Sequence, residues 1–217
     1  MKTVFSSVFL LLSLFCFSQD DSLLVKVAAD TLSNDMQEGG ISPEALGLYN
    51  SALQKAESLN PDSAIILFSQ AIELEPEFAK AYYNRSAARL ANSDLSGALM
   101  DIDRYLALAD TASKGYFTRA DILAELGREE DAVDAYAKAL EKKDKADLAF
   151  RALGNIQLRR ESYQEAVDNF TAYLRYNPSD DKTLHDRGSA YQQLDDLKAA
   201  EQDYRQAAML NPDLATA

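Results

Sequence analysis

From Ala45 onward this 217-residue chain repeats itself at a fixed spacing of 34. The clearest column is alanine, at Ala64, Ala98, Ala132, Ala166 and Ala200. Four residues later stands a large apolar side chain each time: Phe68, Ile102, Tyr136, Phe170 and Tyr204. Three further on come Ala71, Tyr105, Ala139, Tyr173 and Ala207. Twelve residues before the alanine sits a small residue: Ala52, Ser86, Ala120, Gly154 or Gly188. Four before that is a bulky one: Leu48, Tyr82, Tyr116, Phe150 or Leu184. Pro76, Pro178 and Pro212 close three of the copies, and Asp110 and Asp144 stand there in the other two. The five copies run over 45–78, 79–112, 113–146, 147–180 and 181–214 without insertion.

Within each copy the apolar spacing is i, i+4, i+7 twice over, which predicts two helices, A and B. Turn signals separate them: Asn60-Pro61-Asp62, Asn92-Ser93-Asp94, Gly127, Glu161-Ser162 and Asp195-Asp196. Small residues on both helices allow close backbone approach, and the large residue of one fills the space beside the small residue of the other. One hairpin cannot bury its own faces, so neighbouring hairpins must stack into a solenoid.

This pattern resembles the tetratricopeptide repeat family over about four-fifths of the chain. Repeat four, Phe150-Arg-Ala-Leu-Gly154 followed by Ala166, Phe170, Tyr173 and Pro178, lies close to the family pattern. Repeat one departs from it, with Ser51, Ala52 and Lys55 in place of the usual Leu, Gly and Tyr. The resemblance implies an all-α fold, a right-handed α-solenoid of five helix-turn-helix repeats. It also implies an inner surface, lined by the A helices, that holds an extended peptide.

Ahead of the repeats, residues 1–18 read MKTVFSSVFLLLSLFCFS: a basic start, a short apolar stretch, and small residues at Cys16 and Ser18. That is the layout of a secretory signal peptide cleaved before Gln19. The expected product is exported to a periplasm or the exterior, without membrane insertion after cleavage. Residues 19–41 are expected to form a mobile acidic segment ending in Gly39-Gly40, and Ser42-Pro43-Glu44 marks a helix start. Residues 215–217 are a short tail. Cys16 is the only cysteine, so a disulfide framework and a Cys-based zinc site are excluded. The net charge of −13 disfavours nucleic acid and anionic membranes as partners.

Catalytic constellations are absent from the sequence, and no cofactor or metal site is expected. His185 is the only histidine, and the glycines form no phosphate loop. The acids Glu129-Glu130-Asp131 and Asp195-Asp196 fall in turns or first turns of helices, where they suit the helix dipole. The sequons Asn84-Arg85-Ser86 and Asn169-Phe170-Thr171 fall inside helices and are read as chance matches.

Carrying the family's groove over by register places Tyr49, Leu53, Tyr83 and Phe117 in an aromatic, apolar first half. Arg151, Asn155, Arg159, Lys182 and His185 fall in a basic, polar second half, and the two acids among the groove positions, Asp121 and Glu125, belong to repeat three. Positive charge in a concavity of an acidic protein suggests an anionic group on the ligand. Tyr83-Asn84-Arg85-Ser86 resembles the middle helix of the clamp with which some family members hold C-terminal carboxylates. Asn84 and Lys114 match that clamp, and Arg151 and Asn155 match its first helix. Tyr49, Leu53 and Thr118 depart from it, so that activity is not expected. The function these features imply is a non-catalytic scaffold that binds a protein or peptide. The alternative is a structural subunit that self-associates or assembles into an envelope complex through its C-terminal repeat, where Tyr191, Leu194, Ala208 and Leu210 make an apolar face.

Overall fold

The computed structural model describes residues 40–109 and 114–212. The leader, nearly all of the acidic segment, Asp110 and the C-terminal tail lie outside the described residues. Among the described residues ten helices follow in order: α1 (Pro43–Glu57), α2 (Pro61–Leu74), α3 (Ala79–Ala91), α4 (Leu95–Leu108), α5 (Tyr116–Glu125), α6 (Glu129–Lys142), α7 (Ala146–Arg159), α8 (Tyr163–Leu174), α9 (Asp181–Gln193) and α10 (Leu197–Leu210). Odd-numbered helices are the A helices and even-numbered ones the B helices. They stack as an all-α solenoid, each packing on the next. None of the described helices is long and apolar enough to cross a membrane.

Local chemistry sets the helix ends. Ser42 Oγ accepts from the Ala45 N–H, with Pro43 in the first helical position, and Asn60 Oδ1 with Pro61 repeats the device at Ser63. Asp94, Asp180 and Asp196 cap α4, α9 and α10 in the same way. Every A helix stops at one position: Leu59, Ser93, Gly127, Glu161 and Asp195 all have φ between +54° and +73°. There the N–H of the left-handed residue returns to the carbonyl three residues back, and the next N–H to the carbonyl five back, as in Asn60 to Lys55 and Asp196 to Tyr191. All five A helices thus close with a Schellman motif. Only Gly127 is free of the left-handed penalty, which costs the other four about 1 kcal/mol or more apiece.

The packing follows the columns. The alanine column is buried throughout. A Cβ added at Gly154 would lie 2.5 Å from the Phe170 ring, and one at Gly188 would lie 2.9 Å from Tyr204. In repeat two the small residue is Ser86, whose Oγ donates to the Ala98 carbonyl at 3.0 Å. A second device ties repeat to repeat. Arg85 grips Asp101 of its own B helix through two bonds of 2.7 and 2.8 Å, while its third nitrogen donates to Ser69 of the preceding B helix. Arg187 does the same with Asp203 and Thr171. In repeat three Ala135 stands where the Asp would be, so Arg119 turns to Asp103 of α4 at 2.6 Å. A hollow of about 360 Å³ opens beside it.

The small-to-large contact is directly testable. Gly154→Val drives a side chain into the Phe170 ring and should lower the unfolding free energy by roughly 1–3 kcal/mol in urea titrations. An unchanged midpoint would mean that the two helices are not held by this contact.

Candidate ligand groove

Two pairs of consecutive A helices touch, α1 with α3 and α7 with α9, and no consecutive B helices do to the same extent, which sets the A helices on the tighter, inner side of the stack. The structure divides the sequence-expected groove residues differently from their register. Tyr49, Leu53, Asn84 and Phe117 are buried, not open to a groove. Tyr49 packs its ring 4.8 Å from Phe78 and 5.7 Å from Phe68. Phe117 packs against Tyr136 at 5.7 Å, with the Lys145 ammonium 5.3 Å from its ring centre. The physical reason is that apolar side chains on a helix edge gain more by packing onto the B helix and closing turn of their own hairpin than by standing in water. Tyr83 is half-buried beside Tyr105, and Lys114 is exposed.

Asn84 is the polar exception in this part of the core. Its Nδ2 donates to the Tyr49 hydroxyl at 2.7 Å, and its Oδ1 is buried with no partner. Turning the amide over would only exchange which end is orphaned, since one end always faces Tyr49. A residue this buried cannot carry a glycan. Asn169, the other sequon, donates to Gln157 and to the Glu165 carbonyl.

In the second half Arg151, Arg159, Lys182 and His185 are exposed and Asn155 is half-buried. Their charge is largely answered from within. Arg151 lies 3.7 Å from Asp180 and stacks 5.3 Å from the Tyr173 ring centre. Tyr173 in turn donates to Asp180, and burial together with that bond pushes its phenol up to about 12. Arg159 donates to Glu129 at 2.7 Å, and Arg160 joins the same carboxylate. His185 sits 3.7 Å from Asp186. Of Arg151, Arg159 and Lys182, only Lys182 forms no ion pair with a described residue. The surplus of positive charge expected from register is therefore smaller than it looks, because the compensating acids come from caps and from neighbouring helices.

Asp121 runs the other way. It stands in the same A-helix column as Leu53 and Asn155 and accepts a hydrogen bond from Tyr136. No described cation forms an ion pair with it; Lys145 and Arg151 act on it only through space. Burial pushes its carboxyl up to about 6 against these opposing influences. Burial also raises Glu125, one turn further on. The sequence signal for this pair is a tyrosine in the large-residue column; Tyr204 likewise donates to Ser189, Asp121's counterpart in repeat five. Among the described residues, no group of three or more His, Cys, Asp or Glu is placed to hold a metal ion.

Stacked hairpins with one inner face of A helices define a helical repeat solenoid. The tetratricopeptide repeat family matches at residues 49–113, 113–143 and 181–214, more than half of the chain, and the chain belongs to that family. Tetratricopeptide repeat protein 36 of Bos taurus is 36% identical over 114 residues, covering 48% of this chain and 61% of the relative. The chain thus matches about three-fifths of the length of that relative and of its mouse and human counterparts. Among solved structures, MamA 41-end from Desulfovibrio magneticus RS-1 has a TM-score of 0.72 at 15% identity, covering 80% of this chain and 98% of that one. YrrB, described as a tetratricopeptide protein with an unusual peptide-binding site, has a TM-score of 0.67 at 18% identity, covering 89% and 95%. At such identities the likeness is one of fold.

The raised Asp121 carboxyl carries a pH signature. Its folded value of about 6 lies above the unfolded value of about 3.9, so the folded state binds more protons between the two. This group therefore costs stability as pH rises through that window, and the full cost is present above it. Asp121→Asn should melt higher than wild type at neutral pH, with the difference shrinking as pH falls toward about 4. A difference that does not vary with pH would show that Asp121 titrates normally.

Proposed function

We propose that this protein is a non-catalytic scaffold that holds an extended segment of a partner protein along the inner face of its A helices. The observation that supports the reading is the run of exposed polar side chains Arg151, Arg159, Lys182 and His185 on the A helices α7 and α9, among which Lys182 keeps its charge open to a partner. The peptide-binding site ascribed to YrrB is in keeping with it. A ligand acid would meet Lys182 first, because Arg151 and Arg159 hold Asp180 and Glu129. The test is a displayed random-peptide library selected on the full chain, followed by anisotropy titrations of the enriched peptides. Lys182→Glu, at an exposed A-helix position, should weaken those enriched peptides that carry an acid about tenfold, while Met100→Ser on an exposed B-helix position leaves them unchanged. Equal binding of acidic peptides by wild type and Lys182→Glu would remove the groove from consideration.

The same proposal includes export, to a periplasm or the exterior, which rests on the layout of residues 1–18. Intact mass of protein purified from its native host is expected to give Gln19 as the first residue. A chain that retains Met1–Ser18 would refute cleavage.

A further inference from the structure

Arg85, Arg119 and Arg187 share one repeat position, but repeat three lacks the acid that the other two find on their own B helix. Asp101 and Asp203 accept from Nε and Nη2 of Arg85 and Arg187. Ala135 stands there in repeat three, and Arg119 turns its Nε to Asp103 of α4 instead. Its two terminal nitrogens donate to no described residue. The carboxylate that repeats two and five supply from within is thus missing by sequence, while the guanidinium that would receive it is retained.

There is also room for one. The hollow of about 360 Å³ opens between α4, α5 and α6, with Ala135 and Arg119 in its wall. That volume lies at the lower end of the roughly 300–1,000 Å³ usual for small-molecule sites. Lys138, one turn along α6 from Ala135, brings a second cation to the same wall. Its ammonium forms no ion pair or hydrogen bond with a described residue. Asp103 supplies the acid of the wall, so two cations face one carboxylate. Leu106, Ala107 and the Tyr116 ring complete the lining. Exchange of an acid for alanine would by itself leave a hole. It does not account for an uncommitted guanidinium edge and a free ammonium around that hole. The site is separate from the proposed peptide groove. Arg119 lies two residues from both Phe117 and Asp121, about 200° around α5, so it points away from the groove column.

We propose that this hollow binds a small organic acid, whose carboxylate does for Arg119 what Asp101 and Asp203 do for Arg85 and Arg187. The carboxylate accepts from the terminal nitrogens of Arg119 and from the Lys138 ammonium, and a compact apolar body rests on Leu106, Ala107 and Tyr116. Charge then balances, two cations against Asp103 and the ligand. A glutamate on a partner protein carries the same carboxylate without the compact apolar body.

Benzoate is the probe, titrated through the millimolar range into the full chain at constant ionic strength and followed by two-dimensional amide NMR. Saturable shifts are expected, gathered on α4, α5 and α6 around Ala135, with a dissociation constant in the low millimolar range or tighter. Benzyl alcohol, the same ring without the charge, should bind about tenfold more weakly, and N-acetylglutamate amide should also bind more weakly than benzoate. Lys138 is exposed, so Lys138→Gln should leave circular dichroism unchanged and weaken benzoate about fivefold. Ala135→Asp restores the repeat's own acid. It should raise the melting temperature of the unliganded chain and weaken benzoate more than tenfold, a pairing of effects that general damage to the fold would not give. Shifts that scatter or fail to saturate overturn the proposal, as does equal binding of benzyl alcohol or of the blocked glutamate. So do a Lys138→Gln chain that binds like wild type, or an Ala135→Asp chain that melts lower or still binds benzoate normally.

Discussion

A small residue on each A helix lets a large side chain of its own B helix lie flat against the backbone, and this contact sets the distance on which the other interactions depend. At Gly154 the clearance is less than a methyl group, with Phe170 fully buried. The inter-repeat ties flank the same contact. Arg85 precedes Ser86 and Asp101 precedes Ile102; Arg187 precedes Gly188 and Asp203 precedes Tyr204. The approach that seats the large residue also brings guanidinium and carboxylate into two-point register, with Asp101 and Asp203 almost wholly buried. Buried ion pairs offset their desolvation only when geometry is this close. Here the third nitrogen of each arginine, spent on Ser69 or Thr171, makes the same pair serve the neighbouring repeat as well.

The turn between helices is the second fixed quantity. All five A helices end on a left-handed residue with the same two backbone bonds, although the side chains there are Leu, Ser, Gly, Glu and Asp. The backbone geometry is thus repeated more strictly than the sequence that carries it. Two satisfied carbonyls and a uniform exit direction outweigh the strain at Leu59 or Glu161, because one deviant turn would break the stacking of every hairpin beyond it.

The columns that build the hairpins could be read directly, because their period is exact and each has one steric job. Ser42-Pro43-Glu44 was equally legible, since capping is local. The common left-handed position was not, because only Gly127 bears the residue type that announces it. Groove exposure was misread at Tyr49 and Phe117 for a different reason. Register gives the angle of a side chain around its own helix, but Phe78 and Tyr136 on other elements decide whether there is a gap to fill. Charge was misread on the same ground. Glu129 lies 30 residues before Arg159 in the chain, and Asp180 lies 29 after Arg151, so counting along one helix face misses both.

Asp180 shows why such compensation matters to recognition. It caps α9 through the Thr183 N–H, accepts from the Tyr173 hydroxyl and lies beside Arg151. Burial alone would raise its carboxyl, but these donors more than offset that and hold it below the ordinary carboxylate range. The charge that balances Arg151 is thereby anchored to a helix terminus and to the core of repeat four. A ligand acid arriving at Arg151 meets a guanidinium that is already half-satisfied and a carboxylate that cannot swing away without uncapping α9. Along the proposed binding face Lys182 is open to an acid, Arg151 is guarded, and Asp121 is left without an ion-pair partner among the described residues. For the proposed peptide groove, specificity would then come less from net charge than from which of its charges the fold has already committed.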